Sequence, residues 1–557
     1  MTQESSETGL VGHAPPRILI IGAGSRGNAY AKAIQSSTKA TIIGVAEPSA
    51  FKRKQFGVTH VWGDNRPEEG QEFEGWEQYV QWEWQRRTKA AAGSEVPEGA
   101  DGVFVCTLDE THAEIITGLA PLHLHIMSEK PLATTLQACL DIYAALGSPR
   151  EGSSPSAIFA IGHVLRYSPH NMLLRELLLD GAIGDVISVE QTEPIGWWHF
   201  CHSYVRGNWR KESTTAPSLL TKSCHDIDLL LWLLSSPRLG GNEPPHLPSS
   251  VYSTGSLVHF KPSRKPVEAG DATNCLSCVA EPNCLYSARK IYQRALTEGT
   301  TGWPVKIVLP EIEECIKEGG MEAAEGKLLE KLEEDYRSDL PAEEIEARPW
   351  FGRCVYDAGN DVCDDQVVVM TWNDDPIATK TDDSVEIRAN AAHDQGRVTR
   401  HRGSKTATFH MVAFTESICE RRSRIYGTKG EITADSTTIR VHYFQTRHTT
   451  VHHPVQEGGG HGGGDNGLAR QFIQAIDAVK NQNWSVDEAQ RTFLGCTLEE
   501  VIRSHAMVFA AEESRRSKQI IDWPEWWRFV MKGDGLQSSS SQSARSATSP
   551  VTNNPRS

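Results

Sequence analysis

"RILIIGAGSRGNAYAKAI" (Arg17–Ile34) decides the fold. Four apolar residues, Ile18–Ile21, stop at a glycine, and the residues after Gly27 repeat apolar positions at helical spacing. A buried strand that turns through Gly22-x-Gly24-x-x-Gly27 into a helix suits a dinucleotide pyrophosphate. The first glycine allows the tight turn, the second lets the phosphates approach the backbone, and the third lets helix and strand pack closely. Ser25 and Arg26 open the helix, whose first amides favour an anion. "TIIGVAEP" is a second strand and ends in Glu47, about 20 residues past the last glycine, where a carboxylate would bind the ribose hydroxyls. That acid repels a 2′-phosphate and favours NAD. The nearby Lys52, Arg53 and Lys54 leave NADP open.

Working outward, "DGVFVCTLDETHAEIITGLA" and "LHLHIMSEKPLATTLQACLDIYAAL" each read as strand then helix, and "SAIFAIGHVLRY" as a further buried strand. Such alternation implies a parallel sheet with helices on both faces. This domain is expected over residues 15–165, behind a polar leader, 1–14. Thr107 and His112 in the first segment and Glu129 in the second complete the expected cofactor contacts. From residue 166 to 534 the pattern changes. "DVISVEQTEP", "VYSTGSLVHF", "QVVVMTW", "TATFHMVAF" and "TTIRVHYF" alternate apolar and polar residues, as in a largely antiparallel sheet with one face covered. An acidic helical insertion is expected near 306–347, its charges reading mainly as a solvated face, and a Ser-rich tail over 535–557 that cannot bury enough surface to order itself.

The formal charge of −16 over 557 residues speaks against nucleic acid as a partner. No apolar run approaches the ~20 residues that span a bilayer. The leader lacks the layout of a secretory signal, and several of the 12 cysteines sit in apolar stretches, which fits a reducing compartment. A cytoplasmic protein is expected.

"SEKPLA" puts Glu129, Lys130 and Pro131 at the end of a parallel strand, where ligands of such sheets bind. "KSCHDIDLLLWL" (Lys222–Leu233) opens an apolar helix with Lys222, His225, Asp226 and Asp228. In this order, "GAGSRG", "SEKPLA" and the histidine helix resemble the Gfo/Idh/MocA oxidoreductases, the family of glucose-fructose oxidoreductase and inositol dehydrogenase. "RIYGTKGEI" (424–432) is similar to later strands of that family's sheet domain. The resemblance implies a Rossmann domain followed by an α/β domain with a large, mainly antiparallel open-faced sheet. It also implies NAD(P)-linked redox chemistry on a sugar, sugar derivative or cyclitol, and association of copies through the sheet face. It places the family's lysine on Lys130 and its active-site histidine on His225. Oxidising an alcohol needs a base, and a histidine in the first turn of a helix is kept neutral by the dipole. His225 is therefore expected as the base and Lys130 as its electrostatic partner. Many members carry an aspartate four residues before this histidine, where Thr221 stands here. Lys222 is expected to neighbour His225 on the helix and to tune it or touch the substrate, and Asp228 to orient the ring.

"EPIGWWHFCHSYVRGNWRKE" (193–212) mixes aromatic rings with hydrogen-bonding groups, as sugar sites do. Trp198, His202, Tyr204, Arg206, Trp209 and Arg210 are expected substrate contacts, with Arg166 of "HVLRY" at the domain junction. Cys275, Cys278 and Cys284 in "CLSCVAEPNC" have zinc-knuckle spacing, with Cys354 or His259 as a fourth ligand for a structural zinc. Two other functions suit the same fold: a non-catalytic NAD-binding sensor, and an NAD-dependent, redox-assisted glycosidase.

Overall fold

The computed structural model describes residues 14–147, 155–238, 243–337, 339–375, 402–458 and 460–532. The expected tail and all but residue 14 of the expected leader lie outside them. The first sheet has strands β1 (Arg17–Ile21), β2 (Thr41–Ala46), β3 (Glu72–Phe73), β4 (Gly102–Val105), β5 (His125–Ser128) and β6 (Phe159–Ile161), in the order β3-β2-β1-β4-β5-β6. Every pairing is parallel. Ile18, Leu19 and Ile20 are wholly buried, as a strand with helices on both faces must be, and this is why β1 reads as an unbroken apolar run. The strand order turns back at β1, so the crevice beyond the ends of β1 and β4 is the switch point where such sheets bind ligands.

The second sheet has nine strands: β7 (Val186–Pro194), β8 (Ser250–Ser256), β9 (Asp365–Trp372), β10 (Lys405–Val412), β11 (Arg422–Gly427), β12 (Gly430–Ala434), β13 (Ile439–Tyr443), β14 (Thr449–His452) and β15 (Ile521–Asp522). Only β7 and β10 run parallel. Burial alternates residue by residue along β9 and β10. Val368, Met370, Trp372, Ala407, Phe409 and Met411 point into the core, and Ile187 and Tyr252 stand exposed on the other face.

Two features depart from the sequence reading. The long connection between β8 and β9 holds the acidic helix Ile312–Glu333, yet this helix buries Ile312, Cys315, Ala324, Leu328 and Leu332 in the core of the second sheet. Its charges had hidden a three-to-four-residue apolar stripe. The late helix Gly464–Gln482, expected to belong with the second sheet, packs Leu468, Phe472 and Ile476 against β1 and β4 of the first. The first core is thus finished by the end of the chain. Among the described residues no helix is long and apolar enough to cross a membrane.

Candidate active site

The glycine loop meets the geometric demands of a pyrophosphate cradle. Gly22 has φ +95°, and a Cβ there would lie 2.6 Å from the Cys106 carbonyl oxygen. A Cβ on Gly27 would lie 2.0 Å from the Gly22 oxygen, so only glycine lets the helix Ser25–Ser37 come this close to β1. A Cβ on Gly24 would meet nothing within 4 Å. That open space faces a helix start with no side-chain cap, so the first amides are available to an anion. Glu47 leaves β2 beside the loop, where its Oε2 accepts from Ala23 N at 2.8 Å and its Oε1 from Ser49 N at 3.0 Å. The residues fit an NAD-type dinucleotide held by Gly22, Gly24, Ser25, Gly27 and Glu47, with Thr107 facing Gly22 across the crevice. Arg53 is turned away, donating to the Glu47 carbonyl and pairing with Glu72 at 2.9 Å.

Three expected cofactor residues are engaged with the protein instead. Arg26 binds Glu129 at 2.7 Å and Asp465 through two bonds of 2.9 and 3.0 Å, which fastens the glycine-loop helix to the end of β5 and to the helix Gly464–Gln482. Burial would raise the Glu129 carboxyl, but Arg26 and Lys130 hold it below its ordinary value. His112, wholly buried, places Nδ1 2.7 Å from the Pro131 oxygen and Nε2 3.4 Å from that of Thr107, so it ties two crevice loops together.

Beyond β5, Lys130 Nζ donates to the Thr221 carbonyl at 2.5 Å. The backbone of Thr221, which stands in place of the family's acid, thus receives the lysine. The chain here does not form one helix. Ser218–Thr221 make a single turn, Lys222 and Ser223 break it, and the histidine helix runs Cys224–Leu234. Lys222 therefore does not neighbour His225 along a helix. Its Nζ lies 3.1 Å from Glu193 and 2.9 Å from Cys419 Sγ. Burial alone would lower the Lys222 ammonium, but Cys419 and Glu193 raise it above the ordinary lysine range.

His225 is 3% exposed. Burial, then Arg421 and Lys130, pushes its imidazole well below the usual histidine range, so the ring is neutral as expected, for reasons that outweigh the helix dipole. Arg421 Nη2 lies 2.7 Å from His225 Nε2, and the same guanidinium reaches Asp226 at 2.5 Å and Glu193 at 3.2 Å. His461 brings its ring within 6.3 Å of His225 from a second, glycine-rich loop, whose turn His461–Gly463 precedes the helix Gly464–Gln482. Asp228 turns away from His225. It makes two bonds to Arg166, at 2.7 and 2.8 Å, and lies 3.1 Å from His163, so Arg166 and Asp228 neutralise each other, with Arg166 Nη1 left without a hydrogen-bond partner among the described residues.

The loop 193–212 divides in two. Trp198 is half-buried against Trp303, ring centres 4.9 Å apart, and Trp209 Nε1 donates to Asp109 at 2.8 Å, a bond from the second unit to the first. The others are structural. His202 bonds the Tyr292 hydroxyl and stacks on Phe351, and Tyr204 is buried between Phe200 and Trp209. Arg206 donates to the carbonyls of Arg353 and Tyr286, and Arg210 to those of Gly207 and Ile345. Both arginines anchor the β8–β9 connection rather than an anionic ligand. Arg206 also corrects the zinc expectation. Its Nη2 donates to Cys275 Sγ at 3.4 Å, and its charge lies near Cys201 and Cys354 as well. A guanidinium among the thiols opposes a dication, and Cys275, Cys278, Cys284 and Cys354 do not converge as ligands. Among the described residues the one group with metal-ligand spacing is His163, Cys224 and His505. There His505 already accepts from Leu132 N at 2.8 Å and places Nδ1 2.8 Å from the Val501 oxygen, so both ring nitrogens are engaged.

Residues 16–149 match the oxidoreductase family profile described as an NAD-binding Rossmann fold. Over these residues the chain is similar to the Gfo/Idh/MocA oxidoreductases. It is 29% identical over 191 residues to the putative oxidoreductase YteT of Bacillus subtilis, a stretch covering 34% of this chain and 41% of that one. It is 28% identical over 179 residues to inositol 2-dehydrogenase of Rhizobium meliloti, covering 32% and 44%. It is 26% identical over 147 residues to 2,7-anhydro-N-acetylneuraminate hydratase of Escherichia coli, covering 26% and 37%. The chain thus spans less than half the length of these relatives. A crystal structure of levoglucosan dehydrogenase with NADH and L-sorbose superposes over 92% of this chain and 99% of that one, with TM-score 0.53 and 14% identity. At that identity the likeness shows the fold alone, the second sheet included.

The sequence reading missed Arg421, Cys419, Asp465 and Asp109. Arg421 stands in "CERRSR", where three arginines fall within four positions, and only the fold selects the one that turns inward.

Proposed function

We propose that this chain oxidises, or in reverse reduces, one carbinol of a sugar, sugar derivative or cyclitol with NAD. The observation that carries the reading is the meeting of Lys130 with the turn that leads into the histidine helix, at the carboxyl ends of β4 and β5, beside the glycine loop. When bound there, the nicotinamide supplies a hydride acceptor. Lys130 and His225 flank the reacting oxygen, Lys130 as a donor to developing negative charge and His225 as a neutral ring. Lys222 acts through Glu193 and Cys419 at the edge of the site. Trp198 and Trp209 line the approach. The names of the inositol and levoglucosan dehydrogenases support a polyhydroxylated substrate. The uncovered face of the second sheet, with Ile187 and Tyr252, suits association of copies.

The test is nicotinamide absorbance during incubation of the full chain with NAD and a panel of sugars, anhydrosugars and cyclitols. Reduction of NAD with at least one of them is expected. NAD binding with no turnover on any member would favour the sensor. The hydratase among the relatives supports a second reading, in which transient oxidation assists cleavage or hydration. That reaction would convert substrate without net NADH.

A further inference from the structure

Arg421 dictates the protonation of its neighbour. Its Nε is 2.5 Å from Asp226 Oδ1, its Nη2 is 3.2 Å from Glu193 Oε2, and its Nη1 donates to the Cys419 carbonyl at 3.2 Å. Three elements therefore fix a guanidinium that is 9% exposed: its own loop, the end of β7 and the histidine helix. The same Nη2 lies 2.7 Å from His225 Nε2. A guanidinium only donates, so that nitrogen has to offer its lone pair, and the proton of the neutral ring sits on Nδ1. The rival tautomer would point Nε2–H toward Asp226 Oδ2, 3.4 Å away, but would set it against the Arg421 N–H at the shorter distance. An imidazolium meets the same clash. The charged and titratable groups around the ring are Arg421 and Asp226, Lys222 and Glu193, Lys130 from beyond β5, and His461 from the glycine-rich loop. Among the described residues Nδ1 has no hydrogen-bond partner. A buried donor left so costs about 1–3 kcal/mol, which a ligand oxygen would recover.

We infer that Arg421 is a positioning residue that fixes His225 as the Nδ1–H tautomer, so that the imidazole donates to the reacting oxygen. The reacting oxygen rests on the proposed function, and the role of donor replaces the base expected from sequence.

The tautomer is read directly by long-range proton–nitrogen correlation on the full chain labelled with ¹⁵N-histidine, the His225 signal being the one absent from His225→Asn. The expected wild-type pattern is Nδ1–H, without titration across the neutral range. An Nε2–H or imidazolium pattern would overturn the assignment. In Arg421→Lys a one-point ammonium cannot bridge Asp226 and the ring, so the signal should shift toward mixed tautomers or begin to titrate. An unchanged pattern there also overturns it. Should that variant not fold, the wild-type pattern decides alone. In the kinetic arm, His225→Asn keeps an amide donor, so turnover should fall by about tenfold, one hydrogen bond's worth, with the shape of the pH profile retained. A rising limb present in the wild type and lost in His225→Asn would make histidine the proton acceptor and overturn the donor role. If no substrate is turned over, the functional reading fails while the tautomer still stands or falls by resonance.

Discussion

Gly24→Ala separates the cofactor role of the glycine loop from its structural role. The backbone at Gly24 has φ −75° and ψ −163°, which any residue adopts, and the added methyl would touch nothing within 4 Å. Without ligand the variant should be at least as stable as the wild type. Replacing glycine at a compatible site gains about 0.4–1 kcal/mol by restricting the unfolded chain. The methyl would nevertheless stand in the space a pyrophosphate needs, beside the uncapped start of the helix Ser25–Ser37. An extra carbon in a packed contact costs about 1–3 kcal/mol, so NAD affinity should fall roughly 5- to 150-fold. Thermal unfolding of the ligand-free protein and titration calorimetry with NAD measure the two effects on one sample. Gly27→Ala is the contrast: its Cβ would lie 2.0 Å from the Gly22 oxygen, so stability and affinity should both drop. If Gly24→Ala binds NAD as tightly as the wild type, the phosphates do not approach this loop and the reasoning fails.

Glu47→Gln should weaken NAD binding and narrow the preference for NAD over NADP by about 1–3 kcal/mol, the scale of a charged hydrogen bond; tighter binding of NADP by the wild type would refute the role of Glu47. The Arg166–Asp228 pair predicts an acid response. Burial opposes the charge, but Arg166 and His163 hold the Asp228 carboxyl far below the usual carboxylate range. Its contribution is complete above the unfolded value of about 3.9 and is lost as pH falls toward the folded one. Asp228→Asn should be less stable near neutrality by about 3–5 kcal/mol and show a flatter loss of stability on acidification. Urea unfolding at several pH values measures both, and equal acid slopes in the two proteins would contradict the assignment.

The glycine loop and the strands of both sheets were legible because their determinants are local. Gly22 answers to its own positive φ and Gly27 to the Gly22 carbonyl, both within a single strand–turn–helix unit, and β9 and β10 display their alternation openly. Lys130 and His225 were legible through the order of their motifs. The partners of these residues were not, because they come from distant segments. Whether Arg166 meets a substrate or Asp228, and whether Arg206 meets an anion or the carbonyls of Arg353 and Tyr286, depends on chain crossings that spacing cannot express. The cysteine spacing misled for the same reason, since Arg206 lies among thiols that the sequence could only count.

The glycine-loop sheet also has a timetable. Gln490 donates to both the Phe159 and Cys496 carbonyls, and its bond to Phe159 joins residues 331 positions apart. Phe104 meets Phe472 edge-on across the same core. During synthesis at about 5–20 residues per second, the edge strand β6 waits roughly 15–65 s for that partner. Through this interval the flank that Leu468, Phe472 and Ile476 later cover stands without its helix.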